Sequence, residues 1–191
     1  MGVNKAEVIG GILRDINRDL RLTVWNVGIN EQNADEFVEG VDIVIDEIEY
    51  AYPVHSIILH RAARRQGKYV MFALAIGFGS NLFVFDPDGM TFEEYLSLPE
   101  DSDYEQIRNF VIPVEKMCPI IPEYVDKGTV SRIIRGEQPY LPTVSVGCSV
   151  AGSLIAAEVA ALLLDLRPPR VMPEVVMVDL IRQEITPETK E

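Results

Sequence analysis

Two short, uninterrupted apolar runs, VDIVID at 41–46 and YVMFAL at 69–74, narrow what this chain can become more than any other feature. A strand with water on one face alternates apolar and polar residues. A run that does not alternate has both faces covered, as in a parallel sheet layered between helices. Between the runs, residues 54–66 follow helical spacing. Pro53 stands where the helix would begin, and Arg64 and Arg65 stand where it would end, matching the fixed φ and the dipole preferences of the two termini. Strand, helix, strand in that order predicts a right-handed crossover.

The rest of the chain extends the alternation. Residues 4–16 carry apolar residues at helical spacing, although Gly10 and Gly11 each weaken such a helix by roughly 1 kcal/mol relative to alanine. RLTVWNV (21–27) reads as a strand, and 33–37 as a short helix with Asn33 at its N-cap. NLFVFDPDG gives a strand closed by a turn, VSVGCSVAGSLIAAEVAALLLD (144–165) a long helix of small residues ended by Pro168 and Pro169, and EVVMVDL (174–180) a last strand. The expected fold is α/β: a Rossmann-like, mostly parallel sheet flanked by helices, forming one domain over 1–191. Within it, residues 86–142 form an excursion and crossover region, acidic at first and then holding five prolines between 113 and 142.

Composition closes off several function classes. Hydrophobic residues make up 48% of 191, enough for a real core. A net charge of -13 disfavours nucleic acid and anionic membranes as partners. The N-terminus has no basic-then-apolar signal pattern, so a cytoplasmic protein is expected. The nearly charge-free run 138–157 is broken by Pro, Gly, Ser and Thr and reads as a buried helix with its approach, not as a membrane span.

Chemistry-bearing residues are few. Asp46, Glu47 and Glu49 close the VDIVID strand, and open parallel sheets bind ligands beyond the carboxyl ends of their strands. Carboxylates there can hold Mg²⁺, and acids at such a place also cap helices or face solvent. Cys118, in the loop MCPIIP near Lys116, is the candidate nucleophile, against the alternative of an ordinary half-buried cysteine. Cys148 reads as helix packing. Two cysteines without a CxxC pair exclude a four-thiolate zinc site within the chain. His55 and His60, five apart on one helix, lack the spacing of a helical metal pair and read as structural. GFGS (77–80) precedes a strand and not a helix, and neither GxGxxG nor a P-loop occurs.

Two segments go beyond generic α/β. GVNKAEVIGGILRDINRDLRLTVWNVGINEQNADEFVEGVDIVID resembles the ThiF/MoeB/HesA family's Gly-x-x-Lys-x-Glu helix, Ile-Asn-Pro turn, strand, short helix and acid-ended strand. GSLIAAEVAALLL is similar to the family's Gly-Ser-Leu-x-Ala-x-Glu helix, with Gly152, Ser153, Leu154, Ala156 and Glu158 all matching. The resemblance implies an adenylyltransferase of the ubiquitin-activating type. Such an enzyme uses ATP and Mg²⁺ to activate the C-terminus of a ubiquitin-like or sulfur-carrier protein, and some members continue to a thioester or persulfide on a cysteine. It further implies a homodimer, with Lys5 contacting ATP phosphates and Glu49 serving as the metal ligand of the Mg²⁺–ATP site. No zinc is expected.

The departures from the family pattern are specific. Glu49 replaces an aspartate, Arg18 replaces the proline after Asn17, and the arginine expected a few residues after Glu49 is absent. The chain is expected to lack the N-terminal nucleotide-binding strands: the family's glycine loop, ribose-binding acid and Asn-x-x-Arg segment would all lie upstream of Met1. The expectation is therefore part of an adenylating enzyme, inactive alone. The alternative is a non-catalytic scaffold or binding module that dimerises. An unrelated α/β oxidoreductase or transferase lacks support without a dinucleotide fingerprint.

Overall fold

The computed structural model describes residues 2–49, 52–135, 137, 138 and 143–189. Five strands form one sheet in the order β1 (Ile43–Ile45), β2 (Tyr69–Ile76), β3 (Gly79–Phe85), β4 (Glu174–Asp179), β5 (Glu184–Thr189). The α/β class holds, but the sheet is mixed and mostly antiparallel. Only β1 and β2 run parallel, with Ile43 opposite Tyr69 and Ile45 opposite Met71. The remaining neighbours pair antiparallel. Between β2 and β3 connection length is the physical reason. β1 reaches β2 through a helix, whereas β2 reaches β3 through two residues, and a two-residue turn joins only antiparallel strands.

Alternation along β2 and β3 sorts their side chains between two layers. Val70, Phe72, Phe83 and Phe85 join α2 (Ala34–Val38), α3 (Pro53–Arg65), α4 (Phe92–Leu96) and α5 (Tyr104–Arg108) in the larger core. Met71, Ala73, Leu82 and Val84 face the long helix at Ser145–Leu163. The acidic stretch after β3 is thus more than a surface excursion: Phe92, Tyr95, Leu96 and Ile107 are buried in the core. One of its charges is taken inside as an ion pair: the buried Glu93 carboxylate accepts from Arg61 Nε at 2.6 Å. Two short helices, α6 (Val114–Met117) and α7 (Lys127–Ile134), follow, so the long helix is α8. By length and composition α8 could cross a membrane, yet one side of it is laid on β2 and β3. Gly147 permits this approach, because a Cβ there would stand 2.6 Å from the Gly77 carbonyl oxygen.

Residues 21–26, expected as a strand, join no ladder among the described residues. Their alternation is used against α1 (Lys5–Ile16) instead. A Cβ on Gly10 would stand 2.7 Å from Val24 Cγ2 and 3.6 Å from Leu22 Cδ2, so glycine is what lets the segment lie on the helix. Asn33 stands at the start of α2 as expected, but without capping it: its carboxamide oxygen accepts from the Asn30 N–H. The polar segment after β4 forms β5 on the sheet edge.

Candidate functional site

β1 ends where its neighbour continues. The Asp46 N–H makes the last bond to β2, reaching the Met71 carbonyl at 2.9 Å, after which the chain turns away and β2 runs on to Ile76. A cleft of about 570 Å³ opens beyond that end, between the free edge of β2 and the first turns of α8. Glu47 and Glu49 enter it from one side, Ala73 and Ala75 form its floor, and Cys148 and Gly152 face it from α8.

The three acids differ in environment. Asp46 is buried. Its Oδ1 accepts from the Ile48 N–H at 3.0 Å and from the Ser56 hydroxyl at 3.3 Å, and its Oδ2 lies 3.3 Å from His60 Nε2. Glu47 is exposed as a residue, but its carboxyl group reaches into the cleft. That partial desolvation pushes its pKa up; the Ala73 N–H, donating to Oε1 at 3.4 Å, opposes the shift, and the nearby Asp46 charge adds to it. Glu49 is exposed, and its backbone carbonyl accepts from Tyr52.

The two cysteines divide: Cys118 takes the alternative of an ordinary buried cysteine, whereas Cys148 departs from its reading as helix packing. Cys118 is buried with Ile76 and Met177 in a small core cluster, and burial pushes its thiol up to about 12. Lys116 does not relieve it, since its ammonium lies 5.0 Å over the Tyr95 ring. Cys148 is exposed and lines the cleft. Lys5 is exposed at the start of α1 and does not line the cleft. The structure therefore brings Glu49 and Cys148 together and leaves Lys5 and Cys118 elsewhere. Helix periodicity could have flagged Cys148, because the buried stripe of α8 passes through Gly147, Ala151, Glu158 and Ala161 and leaves position 148 beside it. Glu158 itself is buried and held by Arg167, so its role is to clamp the turn after the helix.

A donor set of this kind suits Mg²⁺ held partly by other oxygens. Among the described residues no three His, Cys, Asp or Glu side chains gather as a cage. Mg²⁺ commonly takes one or two carboxylates together with waters and nucleotide phosphates, and Glu49 at the cleft mouth fits that use. A second cavity of about 370 Å³ lies on the far side of His60, but three of its arginines are engaged: Arg61 with Glu93, Arg64 with the Gly89 carbonyl and Arg65 with Asp35.

The family model described as ThiF family matches residues 1–191. No curated protein sequence matches. Among solved structures, PaaA superposes with a TM-score of 0.63 at 11% identity, covering 99% of this chain and 48% of its own. E. coli MccB solved with ATP gives 0.63 at 16% identity, and MccB with AMPCPP and MccA gives 0.62 at 16%, each with the same coverage. At these identities the likeness is one of fold, and the chain spans about half the length of these structures.

Proposed function

The chain belongs to the ThiF family, and from that premise we propose that it is part of an ATP-dependent adenylating enzyme. In this reading the enzyme activates the C-terminal carboxylate of a ubiquitin-like or sulfur-carrier protein. The observation that carries the reading is the cleft at the end of β1, where Glu47 and Glu49 face the Gly152 helix across open space. MccB, whose fold it shares, was solved with ATP. When bound, Mg²⁺ supplies positive charge that neutralises phosphate oxygens. Glu49 would hold it, standing one methylene further out than the family's aspartate. Lys5 would meet phosphates only once a further segment covers α1.

Two uncovered features point to that segment. Among the described residues β1 is paired on one side only, and α1 exposes Val8, Ile9, Ile12 and Ile16. We assign both to contact with an N-terminal half of the kind that the neighbours' greater length allows. Cys118, buried and with its thiol pushed up to about 12, takes no covalent step. The expected homodimer is also kept as a proposal, supported by the exposed Leu163, Leu164 and Leu166 around the end of α8.

The test is ATP–pyrophosphate exchange by the chain joined to an N-terminal half, with a carrier protein present. Exchange is expected, lost about 100-fold in Glu49→Gln and retained in Glu49→Asp. No ATP binding by calorimetry and no exchange with any carrier tail would sink the reading. Equal activity of Glu49→Gln and the parent would remove Glu49 from it.

A further inference from the structure

Asp46 is the acid at the end of β1 whose oxygens are turned inward. The bond from the Ile48 N–H to its Oδ1 closes a side-chain turn that fixes the backbone between Glu47 and Glu49. His60 stands against the other oxygen, and its own position is set by aromatic packing. Its ring stacks on Phe92 with centroids 4.2 Å apart and meets Phe72 and Phe85 edge-on. Nε2 is buried and makes no fully aligned hydrogen bond, although Asp46 Oδ2 lies 3.3 Å from it. A buried ring N–H with no acceptor is costly, and the Asp46 carboxylate is the acceptor placed before it.

We propose that His60 is a positioning residue: fixed by three phenylalanines, it holds Asp46, and through Asp46 the turn that presents Glu47 and Glu49 to the cleft. Its consequence for metal use rests on the adenylation reading, whereas the mechanical claim stands on this geometry alone. The histidine is then more than core filling, because a phenylalanine would preserve the stacking and lose the contact with Asp46.

His60→Phe and His60→Gln distinguish the two roles by amide hydrogen exchange at Ile48. His60→Phe is expected to speed exchange there about tenfold while leaving the middle of α3 protected. His60→Gln, whose amide can again donate to Asp46, is expected to restore slow exchange. Unchanged Ile48 exchange in His60→Phe would overturn the proposal. If that variant does not fold, long-range ¹H–¹⁵N spectra of the wild-type chain decide: a proton on Nε2 supports the proposal, and a bare Nε2 overturns it. In the completed enzyme, His60→Phe should raise the Mg²⁺ concentration for half-maximal exchange more than it lowers the saturated rate, with rescue by His60→Gln. Loosening at Ile48 in a completed enzyme that never performs exchange would sink the adenylation reading and leave the positioning role standing.

Discussion

Helices α1 and α3 have almost the same length, twelve and thirteen residues, and both carry apolar residues at helical spacing. Their fates differ. Nine residues of α3 are buried, against Gly10 alone in α1. α3 finds its cover within the chain, from β2, α2, α4 and α5. The neighbour placed against α1 is the extended segment carrying Leu22 and Val24. An apolar stripe states that a helix face is made to be covered and says nothing of what covers it. The uncovered helix and the open edge of β1 both precede α3 in the sequence.

The largest effect expected from this contrast is in the core. Ile57→Ala, at a fully buried position, should cost about 2–5 kcal/mol in denaturant unfolding. Ile12→Ala, at an exposed one, should change stability by less than about 0.5 kcal/mol. Joining an N-terminal half should raise the cost of Ile12→Ala to the core range. A large cost in the chain alone would break the comparison, because α1 would then already have its cover.

The cysteines sharpen the same distinction between covered and open apolar segments. With its thiol pushed up to about 12 and its side chain buried, Cys118 has a thiolate fraction near 10⁻⁴ at pH 8 by the ordinary titration law. Cys148 is exposed. Iodoacetamide should therefore modify Cys148 about 100-fold faster or more, as read by peptide mass mapping. Comparable rates at the two sites would mean that the loop around Cys118 opens readily.

The runs at 41–46 and 69–74, the helix between them and the small-residue helix were legible from their apolar patterning. Burial on two faces holds for most of β2, whereas β1 buries Val44 and leaves Ile45 exposed. Those two runs do pair in parallel, as the helix between them implied. The direction of β3 was not legible: it was set by the two residues Gly77 and Phe78, too few for a crossover. The strand expected at 21–26 had the right alternation, but a period of two does not say whether a sheet or the notch at Gly10 receives it. β5 was hidden because its residues EITPET pair through the backbone at an edge, where apolar patterning is not required. At the site, Glu49 was legible from the strand-end rule. Cys148 was misread because its helix suggested packing; Cys118 follows the buried alternative, its loop tied to the sheet where Asn81 donates to the Ile120 carbonyl.

The smallest effect contrasts two carboxylates with opposite shifts. Asp126 caps α7, and the Thr129 hydroxyl and N–H hold its pKa below the ordinary value, so its stabilisation is present at neutral pH and is lost as pH falls through the lowered pKa. Glu47 has the other sign. Desolvation in the cleft raises its folded pKa above 4.5, so the folded chain binds this proton more tightly than the unfolded chain. Charged Glu47 thus lowers stability above the raised pKa, and that penalty fades as pH falls towards 4.5. Glu47→Gln should stabilise the chain at pH 7 by at most a few tenths of a kcal/mol, because solvent screens so open a group. The gain should shrink steadily below the raised pKa and be nearly gone by about pH 3.5, where the wild-type carboxyl is largely protonated in both states. Urea melts of the two chains at both pH values measure the difference. A loss of stability on Glu47→Gln at pH 7 would mean that the bond from the Ala73 N–H outweighs desolvation, and the cleft would then favour its charge in the absence of any ligand.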